Sequence, residues 1–283
     1  MFDRTIFNTC LGVQIISIDE MKGKSKKMHC PQQQRFHASG ENANWITPFL
    51  LPLFRSALFI IVGLLFVVIS KETFEQATQW WSVVCVFCNI VTIILLAIIF
   101  KKEGTSYKEI IAFQKGEKNL KETLLIVVMM LILGIGGMYG FGFLIYGYVP
   151  VTMVQPIPVW IAAVNIILLP ISVVFAELPL YFGYSLRKIE QITNNKFLAI
   201  GYPVFFYALQ HSFIPLIFDF QHILFRFLSF LPLMIVLGII YYKNKKLSQL
   251  MVGHAVLDVA TAVQILIISI FPVLFEIMKS MTK

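Results

Sequence analysis

The chain has 283 residues, of which 58% are hydrophobic and only 13% charged, with a mean hydropathy of +0.80 and a formal net charge of +8. Soluble domains average about 45–50% apolar and about 25% charged residues, so this composition excludes a soluble or secreted globular protein and makes lipid the solvent for most of the chain. The positive charge does not point to nucleic acid, because the basic residues fall in the breaks between apolar runs, where they report membrane topology.

Residues 1–45 read as a poorly structured basic tail. The cluster Lys22, Lys24, Lys26, Lys27 is followed by the polar stretch CPQQQRFHASGENAN and not by the apolar segment of a signal peptide. After it, apolar runs follow each other with short breaks. A hydrocarbon core about 30 Å thick takes about 20 apolar residues as helix. The spacing predicts spans near 47–70, 79–100, 122–148, 158–186, 197–215, 221–242 and 247–275. The fold class expected is an all-α polytopic transmembrane bundle of about seven spans, with an eighth half-span as the upper limit. The segments are the tail (1–45), N-terminal transmembrane helices (46–157), a helical core carrying the chemistry (158–275) and a short C-terminal tail (276–283). A tilt, a break near Pro170 or an interfacial end is expected in the long fourth span, and an end or kink near Pro272 in the last. Basic and non-basic loops alternate along the chain. This predicts a multi-pass protein of the plasma membrane with a cytoplasmic N-terminus.

Three features in the first half invite a chemical reading and are given a structural one. Cys85 and Cys88 have the C-x-x-C spacing used by metals and redox pairs. They lie inside an apolar run with no second pair and no nearby histidine, so they read as small helix residues. The segment GIGGMYGFGF lacks the strand and acidic residue of a dinucleotide loop. Its Gly136 and Gly140 form a small-xxx-small pair for close helix packing. Residues 107–119 mix Ile and Phe with Lys and Glu and suit either a short interfacial helix or a cytoplasmic loop.

The chemistry concentrates in the second half. Ionisable groups deep in lipid are functional candidates by default. The last four spans hold Glu177, His211, Asp219, His222, Arg226, His254 and Asp258. Asp219, His222 and Arg226 fall near the outer end of the sixth span and read as an interfacial cluster, in which a salt bridge between either Asp219 or His222 and Arg226 one turn on is an option. Glu177 lies about 15 Å inside the basic stop Arg187/Lys188 at the helical rise. No cation lies within two turns before it, so its partner comes from another helix or the carboxyl is protonated. His254 and Asp258, four apart, share a helix face, with His254 about 11 Å in from Lys246. His211 falls deeper, about 20 Å from Lys196. Taken singly, each suits a hydrogen-bonding role between helices. Together on consecutive long helices, two imidazoles and two carboxylates are the ingredients of a water-activating site. Two chemistries fit: Glu177 takes a proton from a water held by His211 and His254, or Glu177, His211 and His254 bind a zinc ion that activates the water.

At this point the motifs resemble those of the CPBP family of intramembrane endopeptidases, which includes type II CAAX prenyl endopeptidases, abortive-infection proteins and bacteriocin-immunity proteins. That family carries Glu-Glu-x-x-x-Arg, Phe-x-x-x-His and His-x-x-x-Asn/Asp, each on its own membrane helix. Here ELPLYFG (177–183), YALQH (207–211) and HAVLD (254–258) follow in the same order. The resemblance implies Glu177 as the water-activating base, His211 and His254 as the residues holding water or metal, and Asp258 as an orienting or oxyanion-stabilising group. Leu178 and Phe182 replace the second glutamate and the arginine, which removes a carboxylate–guanidinium support. The partners implied are the lipid bilayer and a membrane-proximal peptide substrate, such as a prenylated tail, a pheromone or bacteriocin peptide, or a membrane-protein segment. A cytosolic opening suits the depth of Glu177 and His254. A non-catalytic immunity or binding protein on the same scaffold is the alternative, favoured by Leu178 and Phe182; a proton-relaying transporter is a third.

Overall fold

The computed structural model describes residues 45–111 and 119–282; the N-terminal tail and the middle of the 107–119 segment lie outside the described residues. Every regular element among those residues is helical. The helices are α1 (Thr47–Ser70), α2 (Phe74–Ala77), α3 (Trp81–Lys102), α4 (Tyr107–Ile111), α5 (Leu120–Tyr146), α6 (Val159–Leu178), α7 (Arg187–Thr193), α8 (Lys196–His211), α9 (Phe220–Asn244), α10 (Leu247–Ile270) and α11 (Pro272–Ser280). A π-helical segment, Pro179–Leu186, joins α6 to α7 without a break. The protein is a multi-pass membrane bundle.

Among the described residues, six stretches are long and apolar enough to cross a bilayer: Thr47–Ser70, Phe74–Lys102, Leu120–Tyr146, Val159–Thr193, Phe220–Asn244 and Leu247–Ile270. The expected count of seven is corrected at 197–215. There α8 has 16 residues, a length of about 24 Å, and helix gives way to irregular backbone at Ser212–Asp219. The two turns not formed leave carbonyls without intrahelical partners. Arg226 on α9 donates its Nε–H to the carbonyls of His211 (3.3 Å) and Ile214 (3.1 Å), and the Ser212 hydroxyl donates to the Ile223 carbonyl (3.0 Å). Irregular backbone at membrane depth survives where protein groups satisfy it in this way.

Local chemistry accounts for the other ends. Asn119, Asn195 and Asp219 side chains accept from first-turn amides of α5, α8 and α9, as N-cap residues do. The break at Pro272 is present, since α10 stops at Ile270 and α11 begins on the proline. The break at Pro170 is not; α6 continues through it. The irregularity begins two residues after Glu177, at Pro179. Pro179 has no N–H to give to the Phe175 carbonyl, and the Tyr107 hydroxyl of α4 donates to that carbonyl instead.

One end of the bundle is tied by ion pairs: Lys188–Glu103 (2.7 Å), Lys245–Glu190 (2.7 Å) and Lys246–Glu122 (2.9 Å). At this basic end meet the end of α3, the start of α5, α7, the end of α9 and the start of α10. The opposite end gathers the 147–158 loop, the 212–219 segment and α11. The close approach of α5 to α9 and α10 runs through Gly134 and Gly137, not through Gly136 and Gly140. A Cβ on Gly137 would lie 2.1 Å from the Ser229 carbonyl oxygen and one on Gly134 2.9 Å from Leu257, whereas one on Gly136 or Gly140 meets nothing within 4 Å.

Candidate active site

Glu177 is 2% exposed and sits on the last turn of α6. Its counter-charge comes from α1. Arg55, fully buried, places Nη2 2.9 Å from Glu177 Oε1. Its remaining donors are also held: Nη2 by Asn89 Oδ1 (2.6 Å), Nη1 by the Thr92 hydroxyl (2.7 Å) and Nε by Gln210 Oε1 (2.7 Å). Tyr181 donates its hydroxyl to the same Gln210 oxygen (2.9 Å), and Asn89 donates to Ser172 (3.0 Å). One guanidinium thus links α1, α3, α6 and α8. The support that Leu178 and Phe182 leave out of the α6 motif is therefore supplied from a helix over 100 residues away. Leu178 and Phe182 are themselves fully buried apolar residues.

The second carboxylate oxygen, Glu177 Oε2, is buried and accepts no hydrogen bond among the described residues. His254 Nε2 lies 3.5 Å from it. The other ring nitrogen, Nδ1, is 2.7 Å from Asp258 Oδ2, four residues along α10. A carboxylate at that distance accepts the Nδ1–H and fixes the ring's orientation. Glu177, His254 and Asp258 therefore form one line of acid–base groups, as their helix positions predict. Asp258 orients the imidazole.

His211 stands beside this line without touching it. Its Nδ1 is 2.8 Å from the Tyr207 carbonyl. A carbonyl can only accept, so Nδ1 carries the proton and Nε2 of the neutral ring presents a lone pair. The ring stacks on Phe230 with centroids 3.9 Å apart. Tyr207 lies between the histidines: its ring is 5.7 Å from His211 and 6.3 Å from His254, parallel to the latter within 6°. The Tyr207 hydroxyl is buried and makes no hydrogen bond of normal geometry among the described residues. The Tyr207 ring is thus the neighbour that His211 and His254 share.

A cavity of about 510 Å³ connects Glu177, His211, His254 and Asp258. From them its wall runs along α5 and α10 to the 147–154 loop and to Met278–Thr282. These segments lie at the non-basic end. The π-helical segment Pro179–Leu186 at the basic end is buried, and none of its residues lines this cavity.

For the zinc alternative, His254 has Nδ1 2.7 Å from Asp258 Oδ2, as a ligating histidine donates its other N–H to a carboxylate, and Nε2 3.5 Å from Glu177 Oε2, while Glu177 holds a guanidinium on Oε1. Among the described residues no group of three or more His, Cys, Asp or Glu is placed to hold a metal ion. Cys85 and Cys88 are buried free thiols.

Arg226 is not part of an interfacial ion pair. It is 1% exposed, and Asp219, its expected partner, instead caps α9 through the His222 amide (2.7 Å). Arg55 is the residue that reading the last four spans alone misses. The signal for it is plain: a single arginine in the middle of an otherwise uncharged 24-residue span, which on energetic grounds needs a buried anion.

No family model matches this chain, and neither a curated protein nor a solved structure matches it.

Proposed function

We propose that this protein is an intramembrane hydrolase of the glutamate-dependent endopeptidase type, cleaving a peptide bond brought into the cavity between α5, α9 and α10. The observation that carries the reading is the free oxygen of Glu177. A buried carboxylate oxygen with no hydrogen-bond donor, 3.5 Å from an imidazole and at the inner end of a cavity, is a place for a water molecule. The motif order Glu177, His211, His254–Asp258 and the resemblance to the CPBP endopeptidases support the same assignment.

In this reading Arg55 fixes the Glu177 carboxylate through Oε1 and leaves Oε2 to accept a proton from water. The water oxygen attacks the carbonyl carbon as that proton passes to Glu177. The negative charge that forms on the carbonyl oxygen is met by N–H of His254, held by Asp258, and by the Tyr207 hydroxyl. Glu177 then gives its proton to the leaving amine as the C–N bond breaks. His211 Nε2 accepts from the water's second hydrogen and orients it.

The basic end belongs in the cytoplasm by the distribution of Lys and Arg, which places the plasma membrane's outer side at the mouth of the cavity. That favours an exported or membrane-embedded peptide over a cytosolic prenylated tail. A second reading, a non-catalytic binding or immunity protein, is favoured by one feature. The Arg55 network engages all three guanidinium nitrogens with side-chain oxygens and would hold four helices together without any chemistry.

The test is cleavage of hydrophobic peptides by purified protein. Glu177→Gln retains an acceptor for Arg55 and removes the base. Turnover is expected to fall by about 10²–10⁴-fold with folding intact. Equal turnover in wild type and variant would reject Glu177 as the base, and no turnover by the wild type on any peptide would favour the binding protein.

A further inference from the structure

Two buried charged side chains, Glu177 and Arg226, line the cavity, and among the described residues only Glu177 has a countercharge. Glu177 and Asp258 face Arg55 and His254, two potential negative charges against two potential positive ones. Arg226 stands apart. Among the described residues it has no carboxylate within salt-bridge distance; its Nε–H goes to two backbone carbonyls, its Nη1 to the Met138 sulfur (2.9 Å), and its guanidinium lies 4.8 Å over the Phe230 ring. A guanidinium has five N–H donors in a fork that matches carboxylates and phosphates. None of those on Nη2 has an acceptor among the described residues. An uncompensated cation at this depth is costly, and Arg226 lines the same cavity as Glu177 and His211.

We infer that Arg226 is an anion anchor: the cavity takes an amphiphile whose negatively charged group, a carboxylate or a phosphate, is held by the free edge of this guanidinium. The rest of the wall suits an apolar chain, with Met138, Phe143, Leu169, Val173, Phe230 and Leu257 facing the space. The carbonyls of His211 and Ile214 fix the guanidinium by its Nε edge, so Nη2 is held in place before the ligand arrives. Phe230 carries both the Arg226 guanidinium and the His211 ring, which sets the anion next to the imidazole side of the site. The inference stands on the cavity and the charge count alone and needs no hydrolysis.

The experiment uses three amphiphiles with the same chain and no peptide bond, so that failure of the hydrolase reading leaves it untouched. Laurate, dodecyl phosphate and dodecanol are titrated against the full chain in a non-ionic detergent, and affinity is read from the concentration dependence of the thermal midpoint. One or both anions are expected to bind at least about tenfold more tightly than the alcohol, as for a charge-assisted contact. The tighter anion identifies the headgroup as carboxylate or phosphate. In Arg226→Gln the preference is expected to vanish while dodecanol binds as before. Equal binding of all three to the wild type, which needs no variant to fold, would overturn the assignment, as would an anion preference that persists in Arg226→Gln.

Discussion

The molecule buries two arginines, and they are kept in different ways. Arg55 on the α1 side is surrounded by Glu177, Asn89, Thr92 and Gln210, with each of its three nitrogens engaged by a side-chain oxygen. Arg226 on the α9 side has backbone carbonyls, a thioether and an aromatic face, and no anion. Both cations are equally deep by exposure. The first is a closed knot that positions a carboxylate. The second is an open fork at a cavity wall. Burial alone therefore does not separate a structural charge from a ligand-binding one; the separation comes from whether a countercharge is already present.

The largest effect that would break this contrast is on the closed knot. Arg55→Met leaves Glu177 as an uncompensated buried charge and is expected to cost about 3–5 kcal/mol, read from unfolding in detergent. The double variant Arg55→Met/Glu177→Met is expected to be more stable than the single one, because no charge is left without its partner. A single variant as stable as wild type would show the pair to be dispensable. Next comes helix packing beside the open fork. Gly137→Ala drives a methyl group into the Ser229 carbonyl and is expected to cost about 1–3 kcal/mol. Arg226→Gln is expected to cost less than Arg55→Met, about 1–2 kcal/mol for the lost carbonyl contacts, since it also removes an unbalanced charge. The smallest effect is the control: Gly136→Ala, in open space on a helix, is expected to stabilise slightly, by up to about 1 kcal/mol.

Much of the site was legible before the fold. His254 and Asp258 pair because a spacing of four puts them on one helix face, a rule of helix geometry alone. Glu177 needed a partner from another helix because lipid offers none. The identity of that partner was not legible, since Arg55 lies 122 residues away and nothing local ties them. His211 illustrates the opposite limit. Its place on α8 was readable from the sequence, but that its ring turns back to the Tyr207 carbonyl, four residues earlier on the same helix, was not. The active glycine pair was missed for a related reason. Periodicity names Gly136/Gly140 and Gly134/Gly137 as small residues on α5 without saying which row faces α9.

By itself the chain determined that it lives in lipid, that it is helical, and roughly where each helix runs. These follow from the mass of apolar residues and from the absence of backbone hydrogen-bond partners in hydrocarbon, which act residue by residue. Which helices touch, how the arginines are compensated, and on which side the cavity lies were decided only in three dimensions. Buried charges are settled by groups from distant parts of the chain at distances of a few ångströms, and no local property of the sequence carries that information.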